Sequence, residues 1–592
     1  MEENPTRRDE QAPYVNGDTP YYEYAGPRQP LPPYIPPPSP PWQPPTPQQP
    51  QQQPPTPPKR SGNRGLVLIL AIVSVILVVV LVFLTGLPQA LFHTSKSITP
   101  NATATTAPTS QATPATQVTT ANFRSAPCPF PVGSGIVEGK TLKCGYVTVP
   151  ESRSNPKEGM VQLAVAIFKS PQVQNDPNPV VRLEGGPGGP SLDNWARYIT
   201  SANYATFVFN HDLIMFDQRG TGYSTPSLKC PETLQLQLNT LDQHFSGADS
   251  ERMYLQAIGA CHDRLAKSGV DLNAFNSIEN AGDVHDLIVA MGYKQANLYG
   301  VSYGTRLALT TMRLYPSVIR SVVLDSTYPP QKNRTDLPST AQRVFNTLFQ
   351  GCAANANCAT LYPHLDSVFY QLITTLNATP VQFQTTDFTT NKSYNVVMAG
   401  DDFVFVLFSA LYVSQFIPAL PRMIFQIRDH NFTILSQVYG AVEFDNTFSD
   451  GMFYSDECSE DWDFLTQNDI APALQGIAPQ IMPALKGDLQ QEYDTCKLWH
   501  VQQAPAAQKQ AVVSGIPTLV LSDEYDPITP PANGKLAAQT LKNSYYFLFP
   551  GLGHGAEYNS PCVDSIISAF DDNPAQKPPS ACIASMGEPN FV

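Results

Sequence analysis

Residues 300–304, GVSYG, lie between an apolar segment at 297–299 and a helical pattern at 305–315. A strand, a tight turn and a helix in this order are typical of a nucleophile elbow, in which small neighbours allow a serine hydroxyl to project into a cleft. The pentapeptide alone arises by chance in roughly one chain in ten of this length, so the interpretation depends on the flanking pattern. We therefore predict that Ser302 is a catalytic nucleophile.

His554 is the predicted general base. A serine hydroxyl is a poor nucleophile until a base takes its proton, and in this arrangement an acid and then a histidine follow the serine along the chain. His554 lies in GLGHG at 551–555, and of the nine histidines it alone follows the predicted strand at 518–522.

The acid is expected at the end of that strand, where SDEYDP at 522–527 offers three carboxylates. We predict Asp526, because Pro527 fixes the turn directly after it. Asp523 is the alternative.

A glycine-rich loop is predicted to complete an oxyanion hole, which needs two backbone N–H groups directed at one point. GGPGG at 185–189 follows a predicted strand at 179–183, and its glycines allow the backbone to approach a substrate closely. We predict the amides of Gly186 and Tyr303 as the two donors. A phosphate-binding loop is the rival interpretation, but the GK[ST] ending and the GxGxxG spacing are missing.

Short apolar runs separated by helical patterns, such as 280–291, predict βαβ units and therefore an α/β fold with a mainly parallel sheet. The predicted strands are 179–183, 213–217, 297–299, 322–325, 518–522 and 545–549. Residues 327–510 lack this rhythm. They contain helical patterns at 340–348, 365–376 and 403–411, so we predict a mostly helical insertion.

Five motifs in this order resemble the prolyl iminopeptidase and tripeptidyl aminopeptidase-like α/β-hydrolases: GGPGG at 185–189, DQRGTGYS at 217–224, GVSYGT at 300–305, DPITPP at 526–531 and GLGHG at 551–555. The resemblance covers about 125–592. It implies the α/β-hydrolase fold, with a mostly parallel sheet of about eight strands. The core would comprise 125–326 and 511–592, and a helical cap would comprise 327–510. It also implies removal of Pro-containing or short peptides from free N-termini.

The same resemblance implies acidic cap residues that bind the substrate's α-amino group. Glu457 and Glu460 are the corresponding candidates, although solvated acids beside a disulfide are an equal alternative. Glu184 departs from the iminopeptidases, which place a histidine before the glycine-rich loop, and the cap segment looks more like the secreted tripeptidyl aminopeptidases. We assign Arg219 a structural role, in which its guanidinium ties the oxyanion loop through hydrogen bonds.

The N-terminal part predicts a membrane anchor. Residues 1–64 are Pro-rich and are expected to be a disordered cytoplasmic tail, either a ligand for proline-recognition modules or a tether without a partner. The uncharged run within 65–85 would form a helix about 28 Å long, enough to span a bilayer. A cleaved signal peptide is less favoured, because the run is long and begins far into the chain. Residues 86–124, rich in Thr, Ser and Pro, predict a stalk.

The flanking charges orient this anchor. Lys59, Arg60 and Arg64 precede the apolar run, and only Lys96 follows it closely. The positive-inside rule then predicts a single-pass cell-membrane protein whose catalytic part is extracytoplasmic.

All ten cysteines follow the predicted anchor, which favours disulfides in an oxidising compartment over free thiols in a cytosolic enzyme. Connectivity is not fixed by the sequence. Pairing between neighbours along the chain is our guess: 128–144, 230–261, 352–358, 458–496 and 562–582. No metal-ligand cluster or cofactor motif is evident, so no metal or cofactor is predicted. The net charge of -14 without a basic stripe argues against a nucleic-acid partner.

Three functions remain open. The first is an aminopeptidase that acts through an acyl-enzyme on peptides with free N-termini. The second is an esterase or lipase with the same triad, since the fold hosts both. The third is a non-catalytic surface binding protein on a hydrolase scaffold.

Overall fold

The computed structural model describes residues 122–171, 178–208 and 210–592. The predicted tail at 1–64 and anchor at 65–85 lie outside these residues, as does most of the predicted stalk. No helix within the described ranges is both long and apolar enough to cross a membrane.

A nine-stranded sheet forms the centre of the described part, with the strand order β1-β2-β3-β5-β4-β6-β7-β10-β11. The strands from β5 onward in this order are parallel, whereas β1, β2 and β3 add antiparallel pairings at one side. A separate antiparallel pair is formed by β8 and β9. In chain order the strands are Phe123–Ser125, Leu142–Pro150, Met160–Phe168, Val180–Leu183, Leu213–Phe216, Ala296–Val301, Ile319–Asp325, Val381–Asp387, Lys392–Met398, Thr518–Asp523 and Ser544–Phe549.

All six predicted strands are confirmed, as β4, β5, β6, β7, β10 and β11. The sequence analysis missed β1, β2 and β3. The sheet has nine strands, whereas the resemblance implied about eight. Because β1 begins at Phe123, regular structure starts before the predicted core boundary at 125.

Helices cover both faces of the sheet, and neighbouring residues of one strand enter different hydrophobic clusters. Leu298 packs on the side of the helices Ser277–Ala290 and Tyr303–Leu314, whereas Tyr299 packs on the side of Pro561–Asp572. This alternation follows from the two-residue period of a strand, and burial of both faces explains why the parallel strands are continuously apolar. The other helices outside the insertion are Ser191–Asn194, Tyr204–Phe207, Pro231–Thr240, Gly247–Lys267 and Pro531–Ala538.

The insertion between β7 and β10 is mostly helical, as predicted, but it also contains the β8–β9 hairpin. We call this insertion the cap; its predicted limits, 327–510, stay a prediction. Its α-helices are Leu337–Ala354, Ala356–Leu361, Leu365–Ala378, Gly400–Ala410, Leu420–Arg428, Thr433–Val442, Asp450–Glu460, Ile470–Ala473 and Met482–Trp499.

Five disulfides confirm the guess of neighbour pairing: Cys128–Cys144, Cys230–Cys261, Cys352–Cys358, Cys458–Cys496 and Cys562–Cys582. No cysteine of the described residues is free. The Cys458–Cys496 bridge fastens the helix Asp450–Glu460 to Met482–Trp499, so the candidate amine-binding segment is covalently held within the cap.

Arg219 is structural, but its predicted contact with the oxyanion loop is wrong. The guanidinium is fully buried and forms an ion pair of 2.7 Å with Asp283, while Nη1 donates to the carbonyl oxygens of Glu151 and Ala274 at 2.6 and 2.5 Å. It therefore joins the end of β2 to the helix Ser277–Ala290. A charge buried this deeply needs partners on all sides, and the elements around Arg219 supply them.

We expect Arg219→Met to lower the free energy of unfolding by about 3–5 kcal/mol, because it leaves the buried Asp283 carboxylate and two carbonyl groups with fewer partners. Denaturant unfolding of the full chain measures this as a lower midpoint with an unchanged slope. Arg252→Met is the matched control, because Arg252 and Asp249 form an exposed pair. Equal midpoints for the two variants would contradict the assignment.

Candidate active site

Ser302 occupies the turn between β6 and the helix Tyr303–Leu314, at φ 57° and ψ −124°. A non-glycine residue with positive φ is strained, and the turn persists because close packing fixes it. A Cβ on Gly300 would lie 2.4 Å from the carbonyl oxygen of Gly304. A Cβ on Gly304 would lie 2.0 Å from the carbonyl oxygen of Leu183. Both glycines of the motif are therefore required by backbone contact.

His554 and Asp526 are hydrogen-bonded, at 3.0 Å between Nδ1 and Oδ2. Asp526 follows β10 and is fully buried, and its Oδ1 accepts the amides of Ile528 and Thr529 at 2.9 and 2.8 Å. The hydroxyl of Thr529 donates to Oδ2 at 2.6 Å. These donors fix the carboxylate, which in turn holds the ring through Nδ1 and leaves Nε2 without a hydrogen bond to any described residue, including the hydroxyl of Ser302.

The imidazole and the carboxylate shift each other's pKa. Burial alone would lower the pKa of His554, but the charge and hydrogen bond of Asp526, with smaller effects from Asp325 and Glu184, raise it above its usual value. Burial would likewise raise the pKa of Asp526, but the charge of His554 and several hydrogen bonds hold it below its usual value. The pair thus favours a protonated imidazole beside a carboxylate, the state that forms when the base has taken a proton.

Asp325, at the end of β7, holds the loop that contains His554. Its carboxylate accepts the amides of Ala556 and Glu557 at 3.0 and 3.1 Å, and the hydroxyl of Tyr299 at 2.5 Å. The sequence analysis missed this residue, although an acid at the end of a buried strand was a usable signal.

Asp523, the alternative acid, is not paired with His554. Its Oδ2 accepts the hydroxyl of Ser326, and the oxygen of Ser326 accepts the amide of Gly555 at 2.9 Å. Asp523 therefore supports the histidine loop through Ser326, and of the two candidates the structure brings Asp526 to the imidazole.

The oxyanion loop lies over Ser302. A Cβ on Gly185 would be 3.0 Å from the Cβ of Ser302, and Gly186 lines a small cavity of about 40 Å³ together with Ser302. Tyr303 is the first residue of its helix, where amides have no acceptor within the helix. The loop is positioned by Gln218, whose side-chain amide donates to the carbonyl oxygen of Glu184 at 2.9 Å.

The two candidate amine-binding residues differ in position. Glu457 lines the same cavity as Ser302; it is 2% exposed, and its Oε2 has no hydrogen-bond partner among the described residues. Glu460 is absent from the described lining of this cavity. Its Oε1 accepts the amide of Ser277 at 2.9 Å, at the start of the helix Ser277–Ala290. The structure thus brings Glu457 to the cavity and uses Glu460 as a helix cap.

Burial raises the pKa of Glu457 well above its usual value, and the nearby charge of Asp461 adds to this effect. Arg334 and Arg306 act in the opposite direction, but each already has an acidic partner, Glu492 and Asp461 respectively. A buried carboxylate without its own cation is costly, so Glu457 is suited to receive a positively charged ligand group.

A family model described as alpha/beta hydrolase fold matches residues 178–560. The chain belongs to this family. The match includes the elbow, the histidine loop and the whole cap of this α/β-hydrolase, so the resemblance inferred from the five motifs is confirmed.

Curated relatives of this α/β-hydrolase include proteins with three different names. Tripeptidyl aminopeptidase of Streptomyces coelicolor is 29% identical over 202 residues, which are 33% of this chain and 37% of the relative. Serine protease Hip1 of Mycobacterium tuberculosis is 24% identical over 452 residues, covering 72% of this chain and 84% of the relative. Carboxylesterase B of Mycobacterium tuberculosis is 25% identical over 467 residues, covering 73% and 84%. The chain thus matches little more than a third of the tripeptidyl aminopeptidase.

If His554 is the base, its neutral form is the active one, and we expect the reaction of Ser302 with a fluorophosphonate to accelerate as pH rises through an apparent pKa above the usual histidine value. Asp526→Asn removes the charge that raises this pKa. The rise of the labelling rate with pH should therefore occur at lower pH, and the constant rate reached at high pH should fall by about 10³- to 10⁴-fold. Labelling rates between pH 4.5 and 9 measure both effects. If the labelling rate of Asp526→Asn rose at the same pH as that of the wild type, Asp526 would not be the acid paired with His554.

Asp325→Asn should lower the labelling rate by about 10- to 100-fold, because the amides of Ala556 and Glu557 lose a charged acceptor and the imidazole shifts. Tyr299→Phe is the control, since it removes one donor to Asp325 and leaves both backbone bonds; its rate should fall less than about threefold. If both variants lost activity equally, or if Asp325→Asn only lowered the melting temperature, Asp325 would not be a positioning residue.

Proposed function

We propose that this α/β-hydrolase is a serine aminopeptidase that removes short peptides from free N-termini. The observation that supports this most directly is the unpartnered carboxylate oxygen of Glu457 in the cavity of Ser302. An ammonium group is the natural partner for a buried carboxylate, and a peptide N-terminus brings one close to a scissile carbonyl.

The proposed reaction proceeds through an acyl-enzyme. The oxygen of Ser302 attacks the scissile carbonyl while Nε2 of His554 takes its proton, and Asp526 stabilises the resulting imidazolium. The amides of Gly186 and Tyr303 stabilise the oxyanion. The imidazolium then protonates the leaving amine, and a water molecule, deprotonated by His554, releases the N-terminal fragment and restores the serine.

An esterase with the same triad is the second candidate, because one relative is named carboxylesterase B. A buried acid is a poor neighbour for the neutral acyl chain of an ordinary ester, which favours the aminopeptidase. The third possibility, a non-catalytic binding protein, would not need the strained serine turn or the paired imidazole.

We also propose that residues 65–85 anchor the protein in the cell membrane, with the N-terminus cytoplasmic and the enzyme outside. The apolar run and its flanking charges support this topology. The five disulfides fit an oxidising compartment. A proline-recognition partner of residues 1–64 stays a prediction.

The aminopeptidase proposal predicts that full-length protein cleaves peptides with a free N-terminus and leaves their N-acetylated forms uncleaved. Glu457→Gln should lower kcat/KM for the free peptides by about 10- to 100-fold, because the substrate ammonium loses a buried charged partner. Mass spectrometry of the fragments measures this, and fluorophosphonate labelling of Ser302 verifies folding. Equal cleavage of acetylated peptides, or turnover of aryl esters alone, would refute the proposal.

A further inference from the structure

A groove of about 710 Å³ lies between the helices Pro231–Thr240 and Gly247–Lys267 and the segment 442–450 of the cap. The helix Pro231–Thr240 has no buried residue, although Leu234 and Leu236 face the groove. A ten-residue helix usually buries an apolar stripe, so the apolar side chains of this helix are more exposed than expected.

The groove combines apolar walls with carboxylates that form no ion pair with any described residue. Phe245, Met253 and Phe448 contribute aromatic and thioether surface. Glu443 lines it without an ion pair or a side-chain hydrogen bond to any described residue, and burial raises the pKa of this carboxyl to about 7. The carboxylate of Asp450 accepts the hydroxyl of Thr233, at 3.0 Å, and the amide of its own residue, and it has no ion pair among the described residues.

Asp445 also lines the groove, and its carboxylate accepts bonds from Thr447 in its own turn. Of the described residues that line the groove, Lys229 alone is basic. The excess of carboxylates predicts a cationic ligand, and the apolar walls predict one with hydrocarbon or aromatic parts.

Phe448 connects this groove to the catalytic cavity. Its ring is 3.3 Å from the position of a Cβ on Gly186, which itself lines the cavity of Ser302. The adjacent Ser449 donates its amide to the carbonyl oxygen of Gly188 at 3.1 Å. Phe448 and Ser449 therefore place the groove beside the glycine-rich loop that lines the cavity.

The helix Asp450–Glu460 sets the distance between the two sites, because Asp450 borders the groove and Glu457 borders the cavity. Seven residues of helix rise about 10 Å along the axis. An extended peptide covers this in about three residues. A chain whose ammonium group lies at Glu457 thus reaches the groove after a few residues.

We propose that this groove binds the part of a peptide substrate that follows the scissile bond, and that it selects a lysine or arginine side chain there through Glu443 and Asp450. This inference rests on the proposed aminopeptidase function and adds a preference for the downstream chain. The arginine or lysine stem would lie against Phe448 and Met253, with its cationic end at the carboxylates.

The test compares peptides that are identical except for Lys or Glu at positions four to six. We expect wild-type kcat/KM to favour Lys by about tenfold, as for one charge-assisted hydrogen bond in a partly buried site. Glu443→Gln should bring the ratio to within about twofold. Asp242→Asn, an exposed acid absent from the groove lining, should retain the wild-type ratio.

Two controls separate this inference from the function on which it rests. A short aminoacyl-arylamide does not reach the groove, so its turnover reports the triad alone. Fluorescence anisotropy of the same peptides on Ser302→Ala protein reports binding without turnover. No turnover of any free-amine substrate would refute the aminopeptidase. If the Lys and Glu peptides gave nearly equal kcat/KM and nearly equal affinity, the proposed role of the groove would be refuted. A preference for Lys that Glu443→Gln leaves unchanged would refute it as well.

Discussion

The aligned carboxyl ends of four parallel strands are the constraint on which the site depends. Leu183 of β4 pairs with Gly300 of β6, and Asp325 of β7 is level with Val301 on one side and Leu521 of β10 on the other. The residues at or directly after these strand ends form the four parts of the candidate site: the glycine-rich loop after β4, Ser302 after β6, Asp325 at the end of β7 and Asp526 after β10. The helix after β6 packs so closely on the end of β4 that a Cβ on Gly304 would lie 2.0 Å from the carbonyl oxygen of Leu183.

This edge gathers three buried carboxylates, which would repel one another if all were charged alike. Their surroundings separate them. Asp526 is paired with an imidazole, Asp325 accepts two amides and a hydroxyl, and burial raises the pKa of Asp523 well above its usual value. The raised pKa of Asp523 weakens the negative charge at this edge, and Asp526 is the carboxylate that acts most strongly on the imidazole.

The sequence predicted what local patterns encode. Buried parallel strands are continuous apolar runs, and the elbow glycines follow from backbone contact, so the sequence predicted six strands, the turn at Ser302 and the pairing of His554 with Asp526. The antiparallel strands β2 and β3 are joined by a short polar connection without a helix, and the search for βαβ units passed over them. The sequence could not predict that Glu457 lines the cavity while Glu460 does not. The difference arises because Glu460 accepts the amide of Ser277, a residue distant in sequence.

The cap does more than cover the site, because one short segment of it contacts both regions that a peptide would occupy. Phe448 and Ser449 bind the oxyanion loop, and the helix that follows presents Asp450 at one end and Glu457 near the other. The Cys458–Cys496 bridge and the bond from Trp499 to Ser455 hold this helix rigidly. The helix would then fix the distance between the site that binds the substrate's amino group and the site that binds a downstream cation. The cap would thus determine which peptide bond lies at Ser302, while the residues at the edge of the sheet would cleave it.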